Sequence, residues 1–368
     1  MTQNPDILVL GLGPAGASAA RAAALAGYSV LAVERKTEPG TPVQCAEFVP
    51  AMIGAEVSAL VDTTIQSISS MVTQVEQEPA DITPNFPGRM IDRARFDHQL
   101  ANDAAAAGAQ TRYGINARDI STGGDIDLSD GSHISAKVLI GADGPHSLVG
   151  MAIGSTNDEI LETRQINVPL LQPFDSTDIF LKQDIPGGYA WAFPKGGTVN
   201  LGLGVEASAK DQLKPLLEDL HRQLVAEGRV GAQINSYTGG AIPAGGLLKP
   251  YRVLGGTMCL LAGDAAGLTN PITGAGINSA VISGKLAGEA AAQYLAGDMQ
   301  AAENYQEDLT DLFGPSLTRA LAHRTRMAHI LQNHKTPDPE QLRSGWIAYS
   351  TYWEPIISAQ TEEIPCPA

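Results

Sequence analysis

The sequence predicts an α/β protein, with a parallel sheet, a separate antiparallel β-sheet domain and C-terminal helices. Three observations carry this. Two apolar runs, Ile7 to Leu10 and Tyr28 to Val33, flank a glycine-rich turn and an alanine-rich segment, in the order strand, helix, strand. Two later passages, Lys137 to Ser147 and Met258 to Gly267, again run from an apolar strand into a polar turn. Between them, from Ile160 to Val205, short β-rich runs are separated by Pro173, Pro186-Gly187-Gly188 and Lys195-Gly196-Gly197, the texture of an antiparallel sheet.

The first turn reads Gly11-Leu12-Gly13-Pro14-Ala15-Gly16, a G-x-G-x-x-G spacing directly after a buried strand. In that setting Gly11 permits the tight turn, Gly13 lets backbone approach a pyrophosphate, and Gly16 lets the helix pack close to the strand. The helix start then offers unpaired N–H groups and a positive dipole end to phosphate. Glu34 ends the second strand about 20 residues past the glycines, where a carboxylate can accept from a ribose hydroxyl. Strand, glycines, helix, strand and acid in this order describe a Rossmann-type nucleotide site. Arg35 and Lys36 follow, either flanking the adenosine end or standing as solvated loop charges.

At 368 residues the chain is long for a single core. The sequence divides into a discontinuous nucleotide-binding domain (1–62, 88–158 and 250–298), a substrate domain (63–87 and 159–249), and a C-terminal helical region and tail (299–368). Thr64 to Glu76 reads as an extended segment leaving the first domain. Asp92 is placed to cap a helix that Gly108 stops, Lys210 to Glu227 is amphipathic, and Ala301 to about His334 is helical.

The balance of 24 Lys+Arg against 40 Asp+Glu, a net −16, argues against nucleic acid and against broad docking on an anionic membrane. Cys45, Cys259 and Cys366 are too few and too far apart for a disulfide framework, a Cys-x-x-Cys metal pair or a four-cysteine cluster. His323, His329 and His334 lack metal-ligand spacing, and no metal site is expected. With neither a leader pattern nor an apolar run of spanning length, the expectation is a cytoplasmic protein with at most peripheral membrane contact.

Three motifs in series resemble the hydroxylase-like flavoproteins with two dinucleotide folds: Gly11 to Gly16 with Glu34, Ala142-Asp143-Gly144, and Gly263-Asp264-Ala265-Ala266-Gly267 with Pro271. Within that class the chain resembles the geranylgeranyl reductase family. Tyr189-Ala190-Trp191-Ala192-Phe193-Pro194-Lys195 matches that family's Tyr-x-Trp-x-Phe-Pro-Lys signature, and Arg93-Ala94-Arg95-Phe96-Asp97 its Arg-x-x-Phe-Asp. The resemblance implies FAD held by Gly11, Gly13, Pro14, Ala15, Gly16, Glu34, Arg35, Arg93, Asp143, Asp264, Pro271, Gly274, Ala275 and Gly276.

It also implies hydride reduction of C=C bonds in a prenyl or other apolar substrate, with Tyr189, Trp191 and Phe193 as a cavity wall; without the signature, the same aromatic face reads as core rather than as a cavity wall. Cys45 stands where the family has a cysteine-bearing loop over the flavin, as proton donor, as a shaper of that face or as loop packing. The loop departs from the family in reading Cys45-Ala46-Glu47 without a nearby glycine. Apolar surroundings and Glu47 are expected to keep its thiol neutral. The electron donor is NAD(P)H or a reduced protein carrier. A flavin monooxygenase acting on an aromatic or peptide-borne substrate is the alternative, and a flavin electron-transfer protein the second.

Overall fold

Strand Ile7–Leu10, fully buried, is the middle of a six-stranded sheet. The computed structural model describes residues 4–51, 59–332 and 336–355, so Cys366, His334 and the end of the expected tail lie outside it. In that sheet the strands run Tyr251–Leu254, Thr257–Leu261, Val138–Gly141, Ile7–Leu10, Val30–Glu34 and Gln110–Tyr113. All pairs are parallel except the edge pair Tyr251–Leu254 with Thr257–Leu261. Near-continuous Val, Ile and Leu in the central strands fits burial on both faces. The register aligns Leu10 with both Val33 and Gly141, and Gly141 with Leu261. Four chain segments therefore leave side by side from one carboxyl edge, the edge where open α/β sheets bind ligands.

Helix Pro14–Leu25 and helix Ile277–Leu295 pack on each other across that sheet. Their contact faces are alanine and glycine, so the backbones approach closely and bring both helix starts to the same edge. Helix Arg93–Ala106 begins as expected, with the Asp92 side chain accepting from the Arg95 N–H at 3.0 Å.

The second sheet has eight strands. In spatial order they are Ser236–Thr238, Ile160–Pro169, Thr198–Glu206, Ala190–Lys195, Ser176–Leu181, Ser70–Val75 and Asp81–Thr83, with Ala241–Pro243 also on Ile160–Pro169. It departs from the expected pure antiparallel pattern at one pair, because Ser176–Leu181 runs parallel to Ser70–Val75. The strand after Thr64 comes from a remote part of the chain, so no hairpin fixes its direction. Helix Leu213–Ala226 covers one face through Leu217, Leu220 and Leu224. Period-two alternation sends Ala190 and Ala192 to that side and Trp191 and Phe193 to the other.

Helix Ala301–Gln332 follows, then short helices Pro339–Ser344 and Ser350–Trp353. These last two bring Trp346, Tyr349 and Tyr352 back over the body of the protein. The segment is a strap with an ordered role.

Candidate active site

A cavity of about 1670 Å³ opens between the carboxyl edge of the first sheet and the Trp191 face of the second. Single-ligand pockets are usually of the order of 300–1,000 Å³, so this space is large enough for a cofactor and a second ligand together.

Two uncapped helix starts face it. Helix Pro14–Leu25 has Gly13 at its N-cap and helix Ile277–Leu295 has Gly276; neither receives a side-chain cap, and neither has an acid in its first turn. Gly13, Pro14 and Ala15 line one side, Gly274, Ala275 and Gly276 another. The three fingerprint glycines divide as expected. Gly11 takes φ +92°, a left-handed value that side chains resist. A Cβ on Gly16 would sit 1.8 Å from the Gly11 carbonyl oxygen, whereas one on Gly13 would meet nothing within 4 Å. Open space above Gly13, beside unpaired N–H groups, is the geometry an anionic pyrophosphate needs.

The carboxylates around this pole are anchored by the protein itself. Glu34 is buried, accepting from the Leu12 N–H at 2.8 Å and the Lys36 N–H at 3.0 Å, which leaves one lone pair on each oxygen. Arg35 is exposed on the rim, while Lys36 turns to the Pro42 carbonyl at 2.9 Å. Asp264 lines the wall and accepts from the Thr269 hydroxyl at 2.6 Å. Burial pushes its carboxyl up, against the opposing pull of Thr269 and of the Arg93 charge.

Asp143 also faces the cavity, but its carboxylate is committed elsewhere: Oδ1 accepts from the Ser147 hydroxyl at 2.5 Å and Oδ2 from the Leu148 N–H at 2.7 Å. The motif needs an acid there to start the helix at Leu148, a different task from the cofactor contact expected. Pro271, another expected contact, is buried behind the wall, outside the cavity lining, as is Gly16.

Cys45 lies on the cavity in a loop stitched to the second sheet. The Cys45 carbonyl accepts from Gln165 Nε2 at 3.1 Å, and Gln165 Oε1 accepts from the Trp191 indole at 2.9 Å. The Val43 carbonyl accepts from Thr238, and Gln44 donates to the Gly239 carbonyl at 3.1 Å. Glu47 is buried at φ +67°, a costly conformation for a non-glycine residue. Its Oε2 takes Lys195 Nζ at 2.7 Å and Asn200 Nδ2 at 2.9 Å, and its Oε1 takes the Arg93 N–H at 3.0 Å.

This corrects the expectation that Glu47 acts on the Cys45 thiol as a free negative charge. Lys195 neutralises it, and Arg93 is the charged group beside the sulfur. Burial works against the Arg93 charge, but the Asp97 carboxylate (2.6 Å away) and Cys45 outweigh it, so the guanidinium is held more firmly protonated than usual. Cys45 Sγ itself accepts from the Glu47 N–H at 3.2 Å.

The sequence reading missed Gln165, Asn200 and the partner of Lys195. The signature lysine was the available signal: a lysine ending a buried strand calls for a nearby carboxylate.

The other lobe is aromatic. Tyr189, Trp191 and Phe193 line it, with centroid separations of 5.7 and 6.2 Å along the strand. Trp346 of the strap closes on Tyr189 at 4.7 Å. Polar atoms of these rings are consumed within the protein: Tyr189 donates to the Thr273 carbonyl at 2.6 Å and the Trp346 indole to Met71 sulfur at 3.3 Å. Burial raises the Tyr189 hydroxyl well above an ordinary phenol. Thr177, on the same wall, is an exception, its buried hydroxyl finding no protein partner.

The fold and this two-lobed cavity define a flavin-dependent oxidoreductase. The residues present fit FAD: the open space above Gly13 and the two uncapped helix starts are groups that would receive its phosphates. The geranylgeranyl reductase catalytic domain matches residues 161–241, which contain Trp191 and Gln165. The chain is 32% identical over 352 residues to a digeranylgeranylglycerophospholipid reductase of Methanosarcina acetivorans, covering 89% of this chain and 84% of that one. The structure of a geranylgeranyl bacteriochlorophyll reductase-like protein from Thermoplasma acidophilum superposes with a TM-score of 0.81 at 25% identity, over 92% of this chain and 89% of that one. PqsL of Pseudomonas aeruginosa, a probable FAD-dependent monooxygenase, shares the fold at a TM-score of 0.68 and 16% identity, over 90% of this chain and all of its own.

The chain belongs to the geranylgeranyl reductase family and is an FAD-dependent oxidoreductase. Among the described residues no helix is long and apolar enough to cross a membrane.

Proposed function

We propose that the protein reduces carbon–carbon double bonds in the prenyl chains of a lipid, with Cys45 as the proton donor. The observation that carries this reading is the aromatic lobe. Its wall offers rings whose polar atoms are already satisfied, so it suits a ligand that is itself apolar. A hydroxylase substrate with several polar groups would leave them unpaired against Trp191, Phe193 and Ile179. The relatives' substrate, a digeranylgeranylglycerophospholipid, has chains of this kind.

Bound FAD, once reduced, supplies a hydride to one alkene carbon. The protein's own residues do the rest. Gly11, Gly13, Pro14, Ala15 and the Gly274–Gly276 segment receive the cofactor's phosphate and ring ends; Glu34 and Asp264 accept from its hydroxyls. Trp191 and Phe193 hold the chain flat and exclude water, which matters because an unactivated alkene is a poor hydride acceptor. Gln165 fixes both Trp191 and the Cys45 carbonyl, so wall and donor move as one piece. Cys45 delivers the proton to the second carbon. Arg93, protonated throughout, then faces the sulfur left behind. Electrons arrive from NAD(P)H or a reduced protein carrier.

The test is anaerobic reduction of the FAD-loaded protein, followed by separate addition of a prenyl lipid and of oxygen. Reoxidation by the lipid with formation of its saturated product is expected. Reoxidation by oxygen alone, with an oxygen atom in the product, would overturn the reading in favour of a monooxygenase. Reduction by NAD(P)H in a preceding step tells the two donors apart.

A further inference from the structure

A guanidinium that lines an apolar cavity without a carboxylate partner demands an explanation in a protein of net charge −16. Arg319, on helix Ala301–Gln332, is such a group. It lines the cavity, is half-buried, and among the described residues makes no ion pair. Other basic groups on the wall are in use: Arg93 pairs with Asp97, Lys210 with Glu162, and Lys36 holds the Pro42 carbonyl. Arg35 and Arg118 are exposed and follow the nucleotide sheet. Arg319 is on the other side of the architecture, where its helix meets the strap.

Its contact with the strap sharpens the case. The Arg319 guanidinium lies over the Trp353 ring, 5.1 Å from the centroid. A guanidinium over a ring keeps its charge, and its N–H donors are the kind that match an oxyanion. Ser316, one turn earlier and therefore on the same helix face, also lines the cavity and adds a hydroxyl. Trp353 belongs to the strap that places Trp346 on Tyr189, so the cation and the aromatic lobe border the same space.

We infer that Arg319 and Ser316 form an anion subsite that takes the phosphate of a phosphorylated prenyl compound while its chain occupies the aromatic lobe. This rests on the prenyl reading above and goes beyond it, because it assigns the head of the substrate as well as the chain. Desolvating an unpaired cation is unfavourable, and a phosphate is the partner that would offset it. Local attraction of this kind is also what an acidic protein needs to admit an anion at all.

The test measures ligand binding to the full-length FAD-loaded protein by quenching of tryptophan fluorescence, independent of turnover. The probes are a prenyl monophosphate, the matching prenyl alcohol, a diether prenyl phospholipid and inorganic phosphate. Wild type is expected to bind at least one phosphorylated prenyl probe about 10–150-fold more tightly than the alcohol, the range for one hydrogen bond to a charged group. Arg319→Gln should erase that preference and leave the alcohol within twofold, while Arg319→Lys should restore part of it. The preference should also shrink with added salt. The phospholipid and monophosphate arms separate a lipid headgroup from a free prenyl phosphate.

Equal weakening of alcohol and phosphate by Arg319→Gln would overturn the subsite and leave Arg319 as packing for Trp353. So would tighter binding of inorganic phosphate alone, with no gain for prenyl phosphates. Failure of every prenyl probe to bind would defeat the prenyl reading itself.

Discussion

Cys45 shows how far a single residue could be understood from its neighbours in sequence. Its place on the cavity accords with the resemblance, which puts a cysteine-bearing loop there. Its electrostatic setting was not legible, because Lys195, whose charge offsets Glu47, and Asn200 and Arg93, whose N–H groups bond it, come from elsewhere in the chain. The sulfur accepts from the Glu47 N–H, which fixes its orientation, and the Arg93 guanidinium is the charged group beside it. Replacing Cys45 by Ser keeps the hydrogen bond and the volume but substitutes a far weaker acid. Cys45→Ser should therefore retain FAD and be reduced at the wild-type rate, while reoxidation by a prenyl alkene slows by about 10²–10⁴-fold, the usual scale for a lost general acid. Single-turnover absorbance of the flavin with oxygen excluded reads this directly. Unchanged reoxidation in the Ser and Ala variants would make Cys45 loop packing only.

At the scale of the element, the nucleotide fingerprint was the most legible part of the chain, since each glycine answers a local requirement. Gly16 cannot carry a Cβ without striking the Gly11 carbonyl; Gly13 can, with nothing within 4 Å. The two positions separate folding from binding. Gly13→Ala should leave apo-protein stability within about 1 kcal/mol of wild type, the scale of a helix N-cap substitution. It should still lose FAD affinity, because the methyl occupies the phosphate's approach. Gly16→Ala should lower the melting temperature of the apo protein itself. Equal melting of both apo variants, or full FAD retention by Gly13→Ala, would contradict this division.

The second and third motifs were legible in their positions but not in their detail: Asp143 serves Ser147 and Leu148, and Pro271 stands behind the wall. A sequence pattern marks that a turn is needed there. It does not say whether the protein or the ligand uses the carboxylate.

Across the whole molecule, the aromatic lobe joins the second sheet's Trp191 face to the returning strap. The chain there is Pro-rich with little periodicity, so the sequence leaves strap and tail both open. Long-range contacts specify it instead. Arg343 pairs with Glu78 and Asp81, Tyr349 donates to Asp81 at 2.7 Å, and Trp346 packs at a tilt against Tyr189. Two substitutions probe this closure differently. Trp346→Ala removes a buried ring and should cost about 3–5 kcal/mol of stability through the cavity it leaves. Arg343→Ala breaks a partly exposed cluster, worth only about 0–1 kcal/mol for a typical surface pair, yet it unpins the same strap. Both variants should retain FAD, since the Trp346 and Arg343 contacts lie on the aromatic lobe and at Glu78 and Asp81. Both should raise the KM for a prenyl substrate and admit water and oxygen, so that the reduced protein consumes oxygen to peroxide faster than wild type. Arg343→Ala is the decisive one, because it tests closure at nearly full stability. Wild-type KM and oxygen consumption in that variant would show that the strap is held by Trp346 alone and that its charged anchor plays no part in sealing the lobe.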